Sequence, residues 1–198
     1  MLTTGTQGFL IDENVSYWAD QQTNALVLKL MEIASVIGSS EMILLMTVII
    51  GLIFLIKRNW HHFFFFFVLS VGGVILNLVL KMVVRRARPG DEVSFIEVFN
   101  FNFEIQSYSF PSGHTMRATI FFLFLMYVAF YFGKRMIMQI IAFVIYAILI
   151  ASVALSRVVL EAHFVTDVIG ALVISVAWFF FCIYLFYKPK RSGYSLFS

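Results

Sequence analysis

Cysteine is almost missing from this 198-residue chain, and the single Cys182 lies inside an apolar run. It offers no disulfide framework and no cysteine metal site. Charge is scarce too: 13% of residues are Asp, Glu, Lys or Arg, against 61% hydrophobic and 18% aromatic residues, and mean hydropathy is +0.93. No soluble domain of this size has an interior for so much apolar surface, which makes lipid the solvent for most of the chain. Pro- or Ser-rich linkers, long charge runs and internal repeats are also lacking, so residues 1–198 read as one domain. The first twenty residues have no basic start followed by an apolar block, which excludes a cleavable signal peptide from the expectation.

What is present is a set of long apolar runs. A helix needs about 20 residues to cross a bilayer, and five stretches approach or exceed that, near Ser39 to Ile56, Phe63 to Leu80, Ser112 to Phe132, Met136 to Leu155 and Phe164 to Tyr187. Only helices satisfy every backbone group within one segment in lipid, so the expected fold class is all-α, a polytopic transmembrane helix bundle. Residues 39–187 form the bundle, 1–38 an N-terminal interfacial region and 188–198 a basic cytoplasmic tail. Within the first of these flanks, Leu26, Val27, Leu30, Ile33, Ala34 and Ile37 keep helical spacing, with Lys29 and Glu32 off that face. An amphipathic helix is expected there, lying at the interface or packed on the bundle.

Alternate loops of a five-span bundle face opposite sides. One set, KRNWHH, GKR and the tail, carries Lys57, Arg58, Lys134, Arg135, Lys188, Lys190 and Arg191 and no acid. Short basic loops of this kind are expected on the cytoplasmic side. The N-terminus then lies outside, which calls for an upstream helix or a deeper N-terminal region. His61 and His62 fall on the cytoplasmic side and read as interfacial.

The other side gathers three patches. KMVVRRARP places Lys81 and Arg88 seven residues apart before Pro89; PSGH spans Pro111 to His114; SRVVLEAHFVTD spans Ser156 to Asp167. Several cations, two histidines, a carboxylate and a helix start make an oxyanion site. A helix beginning near Ser112 leaves its first N–H groups unpaired, and Gly113 lets an anion approach the backbone. Ser112 can cap the turn or donate to a phosphate oxygen, and His114 would hang beside the anion, placed to protonate a leaving oxygen. His163 and Asp167, four apart, would share a helix face, the carboxylate fixing one imidazole nitrogen and leaving the other as nucleophile. Arg157 and Arg88 offer planar forks for phosphate oxygens, and Lys81 a point charge. A lone Lys or Arg at a span end is usually an anchor, but Asp167 inside a span is costly and points to function. Arg117, one turn past His114, could meet a headgroup or pair with Glu104 or Glu161. In FNFNFEIQ, Phe99, Phe101, Phe103 and Ile105 alternate with polar residues, as an extended strand with one apolar face would.

Together the three patches resemble the signature of the type-2 phosphatidic acid phosphatase superfamily: Lys, six residues, Arg-Pro; then Pro-Ser-Gly-His; then Ser-Arg, five residues, His, three residues, Asp. All three parts are complete between Lys81 and Asp167. The resemblance implies His163 as the nucleophile that forms a phosphohistidine, Asp167 as its orienting partner and His114 as the acid. It implies that Lys81, Arg88, Ser112, Gly113 and Arg157 hold the phosphoryl oxygens, with no metal or other cofactor. Membrane members typically have six spans, against the five counted here.

The implied partner is a lipid phosphate or diphosphate in the bilayer, not nucleic acid, with the site on the extracytoplasmic side of the cell membrane. An isoprenyl diphosphate such as undecaprenyl diphosphate is the favoured substrate. Phosphatidylglycerol phosphate and phosphatidic acid remain open, as does phosphate transfer to another lipid. A non-catalytic lipid binder would need neither the second histidine nor the paired acid.

Overall fold

The fold comes from a computed structural model that describes residues 9–22, 24–89, 96–98, 101–103 and 108–187. The helices in chain order are α1 (Leu10–Asp20), α2 (Ala25–Ile37), α3 (Ser40–Ile56), α4 (Trp60–Val84), α5 (Gly113–Phe132), α6 (Met136–Val159) and α7 (Val165–Phe186). A short antiparallel pair, β1 (Ile96–Val98) and β2 (Phe101–Phe103), lies between α4 and α5, with Ile96 opposite Phe103. The strand expected in FNFNFEIQ is thus present over its middle, while positions 99–100 and 104–106 and the tail 188–198 lie outside the described residues.

Four helices, α4 to α7, are long and apolar enough to cross a membrane. The expected first span is α3, which has 17 residues and is bent by 43° from α2 across a two-residue break; the pair together makes the fifth candidate. Local chemistry sets these boundaries. Asn24, Ser39 and Asn59 cap α2, α3 and α4 by accepting from backbone N–H groups of the first turn. The last turns of α4 and α6 run past the apolar stretches, to Val84 and Val159, so Lys81 and Arg157 are helical and belong to the bundle end.

α5 is the central helix. It packs against α3, α4, α6 and α7, and half of its most apolar window is buried, against 6% for α6. Most of the large exposed apolar side chains sit on α3, α4, α6 and α7, where lipid is their natural solvent. Missing side chains bring the helices close: a Cβ on Gly73 would lie 2.4 Å from Ile120 Cδ1, and beside it Trp178 Nε1 donates to the Leu69 carbonyl at 3.0 Å. α2 packs on α6 and α3, which agrees with the amphipathic helix expected on the bundle. Helix α1, which no sequence pattern announced, packs on α6 and α7.

Candidate active site

The candidate catalytic and phosphate-binding residues lie at one end of the bundle. Lys81 is in the last turn of α4 and Arg88 just beyond it; Ser112 caps α5 and Gly113 and His114 open it; Arg157 is in the last turn of α6; His163 precedes α7 and Asp167 is in its first turn. Charges on Arg157, Arg117, His163 and Arg88 all act on His114, and those of Arg88, Lys81 and Arg157 act on His163. The patches therefore converge as one pocket of charge.

The start of α5 is held from two sides. Ser112 Oγ accepts from Thr115 N at 3.5 Å and from Thr115 Oγ1 at 3.0 Å, while Ser112 N donates to the Asp167 carbonyl at 3.2 Å, tying α5 to α7. Phe110, joined to Pro111 by a cis peptide bond, is seated against α7 because Gly170 has no side chain; a Cβ there would lie 2.4 Å from the Phe110 ring. Asn77 Nδ2 donates to the Pro111 carbonyl at 3.3 Å. The N–H groups of Gly113 and His114 come before the first intrahelical acceptor, so they face whatever lies at the helix start.

His163 departs from the expected arrangement. It stands before the N-cap Phe164, so it does not share a face of α7 with Asp167, and its Nδ1 is 3.8 Å from Asp167 Oδ2, too long for a hydrogen bond. Ser109 stands between them. Its Oγ lies 3.2 Å from His163 Nδ1 and donates to Asp167 Oδ2 in a short hydrogen bond. With that proton committed, Ser109 is left to accept from Nδ1–H, which fixes the tautomer and leaves Nε2 with a lone pair. Asp167 Oδ2 also accepts from Phe164 N at 3.0 Å, closing the first turn of α7. Burial pushes the His163 imidazole down to about 4, and the cations Arg88, Lys81 and Arg157 act in the same direction against Asp167. The ring is therefore neutral at ordinary pH.

Asp167 does not rely on histidine for its charge balance. Arg86 Nη1 bonds Asp167 Oδ1 at 2.7 Å, and Arg86 Nη2 bonds Asp12 Oδ2 at 2.6 Å. All three are buried. Asp12 also accepts from Thr166 N at 3.0 Å and Phe9 N at 3.1 Å. Burial would raise its carboxyl, but bonds from Thr166, Arg86 and Phe9 outweigh that and hold it below the usual range. Sequence reasoning missed Ser109, Arg86 and Asp12.

The phosphate-binding candidates are less uniform. Lys81 Nζ donates to the Tyr108 carbonyl in a short hydrogen bond, which aims it at the loop before α5. Arg157 Nη1 donates to Ser35 Oγ of α2 at 2.5 Å, and its Nε is buried without a partner among the described residues. Burial lowers the Arg88 guanidinium, with Asp167 opposing. The acid whose charge acts on Arg117 is Glu41, not Glu161, while Glu104 lies outside the described residues. Among the described residues no group of three or more His, Cys, Asp or Glu comes together as metal ligands.

This fold and charge pocket define a helical membrane enzyme of the phosphoryl-transfer class, and comparison makes the class specific. The chain belongs to the PAP2 superfamily, whose sequence model matches residues 62–191. It is 34% identical over 150 residues to phosphatidylglycerophosphatase B of Bacillus subtilis (strain 168), covering 73% of this chain and 68% of that protein. Its fold is similar, at a TM-score of 0.74 and 27% identity, to the crystal structure of a transmembrane PAP2-type phosphatidylglycerolphosphate phosphatase from Bacillus subtilis, covering 91% of this chain and 87% of that one. The chain is a membrane lipid phosphatase.

Proposed function

We propose that the chain hydrolyses a membrane lipid phosphate in two steps through a phosphohistidine on His163, without a metal ion. One observation carries this reading: Ser109, itself held by Asp167, commits His163 Nδ1, which leaves the lone pair on Nε2. In the first step Nε2 attacks phosphorus, the bond from phosphorus to the leaving oxygen breaks, and His114 gives that oxygen its proton. In the second, His114 takes a proton from water as the water attacks the phosphohistidine, which releases inorganic phosphate and restores His163. Negative charge on the equatorial oxygens is met by Lys81, Arg88 and Arg157, by Ser112, and by the backbone N–H groups at Gly113.

The substrate this reading favours is phosphatidylglycerol phosphate, because the named activity of both Bacillus relatives is its dephosphorylation. The second reading is an isoprenyl diphosphate such as undecaprenyl diphosphate. It draws on the acid-free basic loops at the opposite end of the bundle, which favour a site facing the extracytoplasmic side of the cell membrane, where the phosphate of such a carrier is exposed.

A phosphate-release panel tests both. Purified protein is given phosphatidylglycerol phosphate, an isoprenyl diphosphate and phosphatidic acid at equal surface concentration, with and without EDTA. The expected result is fastest release from phosphatidylglycerol phosphate and equal rates in chelator. Faster release from the diphosphate reverses the substrate order. Loss of activity in EDTA that one divalent ion restores overturns the metal-free step.

A further inference from the structure

Arg117 is the cation of this end of the bundle that the reaction proposed above leaves unused. It sits on α5 four residues beyond Gly113, about 6 Å deeper along the helix. Its guanidinium folds back toward the helix start: Nη1 lies 3.1 Å from where a Cβ on Gly113 would be. Its Nε is buried and has no hydrogen-bond partner among the described residues. Glu41, the acid whose charge reaches it, is exposed in the first turn of α3. A buried guanidinium donor left unfilled is costly unless an acceptor completes it, and an anion is the natural one.

The space beside it shows where that group would come from. Arg117 lines a cavity of about 140 Å³ between α3, α4 and α5, whose other walls include Ile43, Leu44, Val74 and Phe121. Leu44 and Val74 are also among the side chains exposed on the outer, lipid-facing surface. The cavity therefore lies beside lipid-facing side chains, and Arg117, whose guanidinium reaches back to Gly113, is the residue that links its wall to the start of α5.

We infer that Arg117 binds a second phosphate of the substrate, the one retained on the lipid after cleavage, and so selects lipids with two phosphates over lipids with one. This inference rests on the lipid-phosphatase reading. The cleaved phosphate sits at the N-terminus of α5; the retained phosphate must lie between it and the apolar tail, deeper and toward the cavity, which is the position of Arg117. Phosphatidylglycerol phosphate presents a phosphodiester there and an isoprenyl diphosphate its inner phosphate. Phosphatidic acid has nothing to put there.

The test measures kcat/KM for these three lipids in mixed micelles with the full chain and with Arg117→Gln and Arg117→Lys. A hydrogen bond to a charged group is worth about 1.5–3 kcal/mol, so Arg117→Gln should lower the ratio of phosphatidylglycerol phosphate to phosphatidic acid activity roughly 10- to 100-fold, mainly through KM. Arg117→Lys should restore part of it. A matching loss on the isoprenyl diphosphate assigns the subsite to any retained phosphate; a loss on phosphatidylglycerol phosphate alone assigns it to the diester. As a second readout, phosphatidylglycerol should inhibit wild-type hydrolysis of a soluble aryl phosphate more strongly than diacylglycerol does, and Arg117→Gln should abolish that difference. An equal loss on all three lipids, or an unchanged ratio, overturns the inference. If the wild-type protein releases phosphate from no lipid, the reading beneath it fails instead.

Discussion

His62 and His163 are both buried, yet they sit at opposite ends of the bundle in environments of opposite kind. His62 Nδ1 is 2.8 Å from Asn59 Oδ1, its Nε2 is 3.0 Å from the Tyr127 hydroxyl, and its ring stacks on Phe54. Tyr127 continues the chain to Tyr187 through a short hydrogen bond. Both imidazole nitrogens are thus spent on neutral partners, and the site closes on itself. His163 has one nitrogen held through Ser109 and the other unspent, amid the charges of Arg88, Lys81 and Arg157. The same side chain is structural where both its valences are used and available for chemistry where one is left over. His62 is accordingly not the interfacial residue its sequence position suggested; a neutral polar network let it move inward.

The largest expected effect breaks this comparison outright. His163→Ala should lose turnover on every lipid substrate, since no covalent acceptor remains, whereas His62→Phe should keep phosphate release within a few-fold and lower only resistance to unfolding. Rates on purified variants, with circular dichroism to establish folding, decide it. Comparable loss of turnover in both would make His62 part of the reaction and sink the distinction.

A smaller effect sharpens it. Arg86 holds two buried carboxylates together, Asp12 from α1 and Asp167 from α7. Arg86→Met leaves both without their cation, and breaking a buried pair in this way typically costs about 3–5 kcal/mol. At the other end, Tyr127→Phe removes a hydroxyl from a neutral network and should cost about 1 kcal/mol. Unfolding by denaturant in mixed micelles measures both. A smaller loss for Arg86→Met than for Tyr127→Phe would mean that water already reaches the Asp12–Arg86–Asp167 chain.

The helices and the three patches were legible because each rests on local pattern: apolar runs of bilayer length, and fixed spacing around Pro89, Pro111 and His163. The supporting groups were not. Arg86 is one of three arginines in RRARP, and nothing local separates the one that turns inward from those that anchor. Ser109 lies two residues before Pro111 and outside the motif. Asp12 belongs to the short helix α1, whose placement depends on a bond to Thr166, a partner 154 residues away. The pairing expected between His163 and Asp167 on one helix face is not the geometry seen, because α7 begins at Val165, two residues after the histidine. In each case the missing information was tertiary. Two adjacent acids, Asp12 and Glu13, in the first turn of an otherwise unremarked helix were the one available signal, and the partner of Asp12 could not be read from them.

The remaining expected effect is a pH dependence that His163 has and His62→Phe should leave intact. In the folded protein His163 takes its proton near pH 4, while in the unfolded chain it does so near its ordinary 6.5. Between those values the unfolded state binds the extra proton, so its stabilisation by neutral burial is complete above pH 6.5, falls as pH is lowered, and levels off near pH 4. At about 1.4 kcal/mol per unit the loss is on the order of 3 kcal/mol. Asp12 contributes in a different window: its carboxyl is held below the usual 3.8, so its share persists above that value and disappears at still lower pH. Unfolding of wild type and His163→Gln in mixed micelles, measured from pH 7 to 4, separates the two, because glutamine cannot titrate. The stability difference between the proteins should shrink across that interval and then stay constant. A difference that holds steady from pH 7 to 4 would mean that His163 is hydrated and titrates normally, and the contrast with the closed network around His62 would have to rest on geometry alone.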